Sequence, residues 1–413
     1  MRIRHLGFVS LAAVAFTTSL SALGIGTASA QQSEVKVALI APLSGPWARQ
    51  GDLVRKGAEM AVDDINNAGG IKSLGGAKLK LIVADTGDTP EKAKNAAQRL
   101  LSQEPDLVAG EGAWLSSFTL AVTEVTERAE LPWFTLSYSD QITNRGFHYV
   151  FQTSATGDRQ TALMLPTIVD LAKSATGKTP ATVALVSDNT AAPVSIVKPM
   201  REGGLAKYGI KAVADEVYTP PLSDATPIIA KVRAARPDFA FVISTSVPDD
   251  SLLLQKLAEM GIGASKLPAV SNGSHMVTPE LLKTAGAEVM EDTLVTIANW
   301  PLKGSEELVE RFKKRTGEPW MTQDSLCDYG HIWIIKEALE KAGAADRRKV
   351  ADAVRAMDTT TGAAQYFAGN HVKFDDKGRR VDAPLVIVQW QKGVPVTVFP
   401  VEASTAKAIW VAK

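Results

Sequence analysis

Val35-Lys36-Val37-Ala38-Leu39-Ile40, then Ala41-Pro42-Leu43-Ser44-Gly45-Pro46-Trp47, then residues 51–66: the reading of these three consecutive segments decides the fold. The first is rich in β-branched and aliphatic residues and reads as a strand. The third places Val54, Ala58, Ala61, Val62 and Ile65 on one helical stripe and ends at Asn66-Asn67-Ala68-Gly69-Gly70. A strand joined by a short loop to an amphipathic helix is one βα unit. Its repetition predicts an α/β fold, an open and mostly parallel sheet with helices on both faces.

The unit does repeat. Residues 79–84 read as the next strand, and Thr89-Pro90-Glu91 opens a helix whose buried stripe is Ala93, Ala96, Ala97, Leu100 and Leu101. Strands at 107–109 and 133–136, with a helix at 116–129 between them, continue the series. The rhythm restarts at 182–186 and runs through 213–218, 239–243 and 267–270. Residues 293–297 are then followed by helices at 306–315 and 323–341, and by a hairpin pairing 385–390 with 396–399 across Gln391-Lys392-Gly393. No low-complexity linker separates the two series, so two lobes sharing crossover strands are expected rather than beads on a string. The expected division is 31–153 with 298–385 for lobe 1, and 154–297 with 386–413 for lobe 2. Hinges are expected at Phe151-Gln152-Thr153, at Ile297-Ala298-Asn299 and before Leu385.

The first thirty residues read as a cleavable signal peptide: Arg2, Arg4 and His5, an apolar stretch, and Ala28-Ser29-Ala30 at its end. The mature chain is expected to begin near Gln31 in the periplasm. Cys327 is the only cysteine, which excludes a disulfide framework and a lipid-attachment cysteine behind the leader. Removing the leader takes away two arginines and no acid, leaving 43 Lys+Arg against 45 Asp+Glu. That balance argues against nucleic acid as a partner. A monomer is expected.

Catalytic and cofactor motifs fail on inspection. Thr176-Gly177-Lys178-Thr179 has Ala172 where a phosphate loop needs its first glycine, and it follows a helix. There is no G-x-S-x-G elbow, and His148, His275, His331 and His371 have no partner at motif spacing. Asp375-Asp376-Lys377-Gly378 lacks the spaced oxygens of a calcium loop and reads as a polar turn. No enzyme activity, cofactor or metal is expected.

The segment 41–47 sits at the carboxyl edge of the first strand, where open α/β sheets bind ligands. Together with Gly57-Ala58, with residues 63–71, with Ile82-Val83-Ala84-Asp85-Thr86, with Ser116-Ser117-Phe118-Thr119 and with Val386-Ile387-Val388-Gln389-Trp390, it resembles the leucine/isoleucine/valine-binding family of type I periplasmic solute receptors. The likeness covers essentially the whole mature chain. It implies a two-lobed protein that closes on a small solute and hands it to an ABC permease in the inner membrane. A ligand sensor signalling to a partner protein is the alternative.

The residues themselves agree with that picture. Ser116 and Ser117 open a helix after a glycine-containing turn, where hydroxyls and free amides favour an anion. Plain capping of the helix is the competing reading. Ser137, Tyr138 and Ser139 match a family segment that contacts the ligand's carboxylate, and Ser246 and Asn272 end strands facing the cleft from the second lobe. Trp47 and Gln50 lie where the family sets side-chain specificity, and Tyr329 matches a helix start that reaches the pocket; core packing is the alternative for both aromatics. Two departures stand out against the resemblance. Asn272 falls where the amino-acid receptors carry a carboxylate for the ligand's ammonium, and Ala191-Ala192-Pro193 falls where an aromatic packs. A small carboxylate-bearing solute is expected, an amino acid, an amide or an aromatic or aliphatic acid; because a buried ammonium without a counter-charge is costly, one without a free α-amino group is favoured.

Overall fold

In the computed structural model, which describes residues 34–263 and 266–411, the opening unit forms as β1 (Glu34–Ala41) and α1 (Ala48–Asn67). The chain then builds β2 (Lys78–Asp85), α2 (Pro90–Gln103), β3 (Ala109–Gly112), α3 (Ser116–Arg128), β4 (Trp133–Thr135), α4 (Gln141–Asn144) and β5 (Val150–Gln152). Thr89 caps α2 by accepting from Lys92 N, as the Thr-Pro-Glu start requires. These strands make a five-stranded parallel sheet in the order β2-β1-β3-β4-β5.

A second sheet follows. Its parallel strands are β6 (Thr182–Asp188), β7 (Lys211–Tyr218), β8 (Phe239–Ile243), β9 (Ala269–Asn272) and β10 (Leu294–Ile297), connected through α5 (Gly157–Thr176), α6 (Ala191–Pro199), α7 (Thr226–Ala235), α8 (Val247–Glu259), α9 (Pro279–Ala285) and α10 (Ala287–Met290). Three helices, α11 (Glu306–Thr316), α12 (Gln323–Ala342) and α13 (Arg347–Arg355), come next, and then the two-residue strands β11 (Asp358–Thr359) and β12 (Val372–Lys373). Finally β13 (Val386–Gln391) and β14 (Val394–Phe399) add antiparallel to β10, giving the order β14-β13-β10-β9-β8-β6-β7. The chain thus passes between the sheets after β5, after β10 and before β13.

Strand periodicity explains the second lobe's two cores. Ala184, Val186, Ala240 and Val242 pack on one face of the sheet, while Val183, Leu185, Phe239 and Phe241 pack on the other. The first lobe has a single large core in which α12 and α13 join β1, β3 and β4. Among the described residues no helix is long and apolar enough to cross a membrane; the expected signal peptide lies outside the described residues.

Some boundaries differ from the sequence expectation. β3 and β9 begin at Ala109 and Ala269 rather than at 107 and 267, because Leu107, Val108 and Leu267 are buried on the approach to the sheet without joining a named strand. Apolarity marks burial, not pairing. Phe151-Gln152, expected as hinge, closes β5 and pairs with Phe134-Thr135 before the chain crosses. The last turn is Lys392-Gly393 alone, with φ of 56° and 77°, so β14 starts two residues early. Gly177 ends α5 in the left-handed conformation, which removes any phosphate-loop geometry there.

Candidate functional site

The loops after β3 and β4 face those after β8 and β9 across a cavity with about 410 Å³ of empty space. No Asp, Glu, Lys or Arg lines it. Leu115, Leu136, Ile196 and Ile243 supply apolar walls, and the polar groups come from hydroxyls, two amides, Trp114 and His275.

On the first-lobe side the backbone is strained where it enters α3: Ala113 and Trp114 have φ of 64° and 47°, a conformation that costs about 1 kcal/mol or more per non-glycine residue. It turns the Trp114 indole onto Asp324, whose Oδ1 accepts from Nε1 at 2.9 Å. Ser274 from the second lobe donates to the same oxygen, so Asp324 joins both sides of the cleft. Burial pushes its pKa up to about 7, against the pull of the Ser274 and Trp114 hydrogen bonds. Ser116 is the first residue of α3, and no side chain caps that helix. Its Oγ accepts from Tyr138 N and Ser139 N, both at 3.2 Å, which leaves its proton and the helix-start amides for the cavity. Tyr138 Oη donates to Gln323 Oε1 at 2.8 Å, and the same oxygen accepts from Ala298 N (2.8 Å) and Asn299 N (3.3 Å) in the crossover after β10.

On the second-lobe side Thr245 Oγ1 donates to Asp188 at 2.6 Å and Ser244 donates to the fully buried Asp250. Burial raises the pKa of Asp250 well above the carboxylate range. Its other oxygen lies 3.5 Å from His275 Nε2. Burial also lowers His275 to about 3, so its ring is neutral on the cavity wall. Asn272 Nδ2 donates to Gln160 Oε1 at 2.7 Å and to Thr296 Oγ1 at 2.9 Å.

Of the residues expected at the site, Ser116, Ser137, Tyr138 and Asn272 line the cavity. Ser137 spends its hydroxyl on Trp114 O at 2.6 Å. Ser139 sits at the rim, its Oγ 3.1 Å from Ser195 of α6, another contact between the sides. Ser117 is half-buried on α3, and Ser246 caps α8 by accepting from Asp249 N. Neither is brought to the cavity lining, nor are Trp47, Gln50 and Tyr329. Trp47 packs edge-on against Phe118 at 5.4 Å. Gln50 is fully buried with both amide atoms unpartnered. Tyr329 donates to Asp64 at 2.7 Å and packs on Tyr366, because its place on α12 turns it toward α1.

Sequence reasoning missed Trp114, Gln323, Asp324 and His275. Signals existed only in part: Trp114 follows the Gly-Glu-Gly end of β3, but nothing local indicated a left-handed tryptophan. His331 is not isolated either. Its Nδ1 is 3.0 Å from Glu111 and 3.7 Å from Asp328, and its Nε2 is 2.6 Å from Thr153 Oγ1 in the first crossover. Among the described residues these three form the group whose ligand atoms come within 4.8 Å of one another, the spacing a cation would need. Although burial lowers it, hydrogen bonds to Asp328 and Glu111 lift the pKa of His331 to about 9.

A family model described as periplasmic binding protein matches residues 34–395. The chain is 30% identical over 401 residues to Leu/Ile/Val-binding protein homolog 7 of Brucella melitensis, covering 94% of this chain and 97% of the relative. Among solved structures it is similar to the branched-chain amino acid transporter substrate-binding protein LivJ of Streptococcus pneumoniae in complex with isoleucine, with a TM-score of 0.76 at 20% identity over 88% of this chain and 99% of that one. It is also similar to a solute-binding protein of an ABC transporter from Rhodopseudomonas palustris in complex with 3,4-dihydroxy benzoic acid, with a TM-score of 0.74 at 19% identity over 92% and 99%.

Proposed function

The chain belongs to the periplasmic binding protein family, and from that premise we propose that it captures a small carboxylate-bearing solute lacking a free α-amino group, by closure of two lobes, for an inner-membrane ABC permease. The observation that carries the proposal is the cavity lining: an anion-favouring helix start at Ser116 and no Asp, Glu, Lys or Arg among the lining side chains. A carboxylate finds donors there. An ammonium finds no counter-ion, and its desolvation would go uncompensated. That relatives of similar fold are described with isoleucine and with a dihydroxybenzoic acid is compatible with an acid ligand of either aliphatic or aromatic body. Hydrogen bonds to a charged ligand contribute about 1.5 to 3 kcal/mol each, and a few of them reach the roughly 8 kcal/mol of a micromolar complex.

The lobes are 31–153 with 298–385 and 154–297 with 386–413 in this proposal, and the mature protein begins near Gln31 after export. Titration of the unliganded protein with leucine and with its deaminated analogues tests the ligand class. Micromolar binding of leucine with the analogues silent would show that an acid outside the lining pairs the ammonium.

A further inference from the structure

Two side chains on the second-lobe wall of the cavity, Thr245 and Asn272, have only acceptors left to offer. Thr245 has spent its proton on Asp188, whose other oxygen accepts from Thr190. The orientation of Asn272 is fixed by its neighbours. Gln160 Nε2 donates to Ala155 O at 2.8 Å, so Gln160 Oε1 must accept from Asn272 Nδ2. Thr296 Oγ1 donates to Ser271 O at 3.0 Å, so it too accepts from that nitrogen. What Asn272 has left for the cavity is its carbonyl oxygen. Both side chains therefore present lone pairs and no proton. A solute group facing them must donate, and with no carboxylate in the lining it must donate without carrying a charge.

We propose that the solute is a hydroxylated carboxylic acid whose hydroxyl donates to the acceptor pair of Thr245 and Asn272. The proposal rests on the carboxylate reading above and narrows it: keto acids and ethers, which bring an acceptor to this pair, are excluded. Hydrogen-bonding sites reject analogues that leave their polar groups unpaired by large factors.

Matched probes test it on the full mature chain, stripped of solute by unfolding and refolding. Calorimetric titration with para-hydroxybenzoate against para-methoxybenzoate, and with α-hydroxyisocaproate against α-ketoisocaproate, should show the hydroxy member of the binding pair at least about tenfold tighter. Asn272→Leu should shrink that ratio while leaving the methoxy or keto member little changed. Equal affinity within each pair, or preference for the acceptor member, overturns the hydroxyl inference and leaves the carboxylate reading standing. Binding of para-hydroxybenzyl alcohol as tightly as of para-hydroxybenzoate, with the methoxy compound silent, supports the acceptor pair and overturns the carboxylate instead.

Discussion

Both walls of the cleft present aliphatic hydroxyls, yet two of these, Ser116 and Thr245, face the cavity with opposite polarity. On the first-lobe wall Ser116 receives two backbone N–H groups and keeps its proton free. On the second-lobe wall Thr245 gives its proton to the buried Asp188. Hydroxyls are interchangeable in composition but not in direction. What stands behind each one decides what it offers in front.

The largest expected effect comes from the group that ties the first wall to a crossover. Gln323→Leu removes an oxygen that serves Tyr138 Oη, Ala298 N and Asn299 N. Leaving those buried donors unpaired should cost about 2 to 4 kcal/mol in a urea melt. A loss below about 1 kcal/mol would mean that water replaces the amide and that the wall is less dry than its burial indicates.

Next is pH. Asp324, with its pKa near 7 in the folded protein against an ordinary 3.8, holds a proton that the unfolded chain has already lost between about pH 4 and 7. The unfolded state binds fewer protons there, so this residue makes stability fall as pH rises through that window, and the fall ends above about 7. Asp324→Asn should remove a contribution on the order of 2 kcal/mol from the slope. Parallel stability–pH curves for the two proteins would place the titration elsewhere.

Smaller again is Ser116→Ala, which should weaken binding of an acid solute by about 1 to 2 kcal/mol in calorimetry. An unchanged affinity with an intact fold would remove the helix start from the donor wall. The smallest effect belongs to Tyr329→Phe. Its hydroxyl is engaged by Asp64 away from the cavity, so affinity should stay constant while stability drops by about 1 kcal/mol or less.

The fold was legible because burial on a surface helix is periodic, and α1 and α2 write that period plainly into the chain. Cavity residues were legible where a polar group ends an apolar run, as at Ser116, Tyr138 and Asn272. They were illegible where long-range packing decides. Tyr329 and Asp324 stand on the same helix, five residues apart, and only the docking of α12 on α1 sends one to Asp64 and the other to the cleft. The pairing of His331 with Glu111 joins residues 220 positions apart and has no local trace.

The antiparallel seam between β10 and β13 has a consequence for synthesis. β10 is complete by Ile297, but its neighbour begins only at Val386, after the whole of α11, α12 and α13. Until that last hairpin is made, the second sheet ends at β10 with an open row of amides and carbonyls. Contacts this far apart in sequence form late, since the intervening chain must be closed first. The nascent polypeptide therefore stays short of its finished form until Phe399 has been added, and a stop codon placed just before Val386 would release a chain whose second sheet ends at an exposed edge.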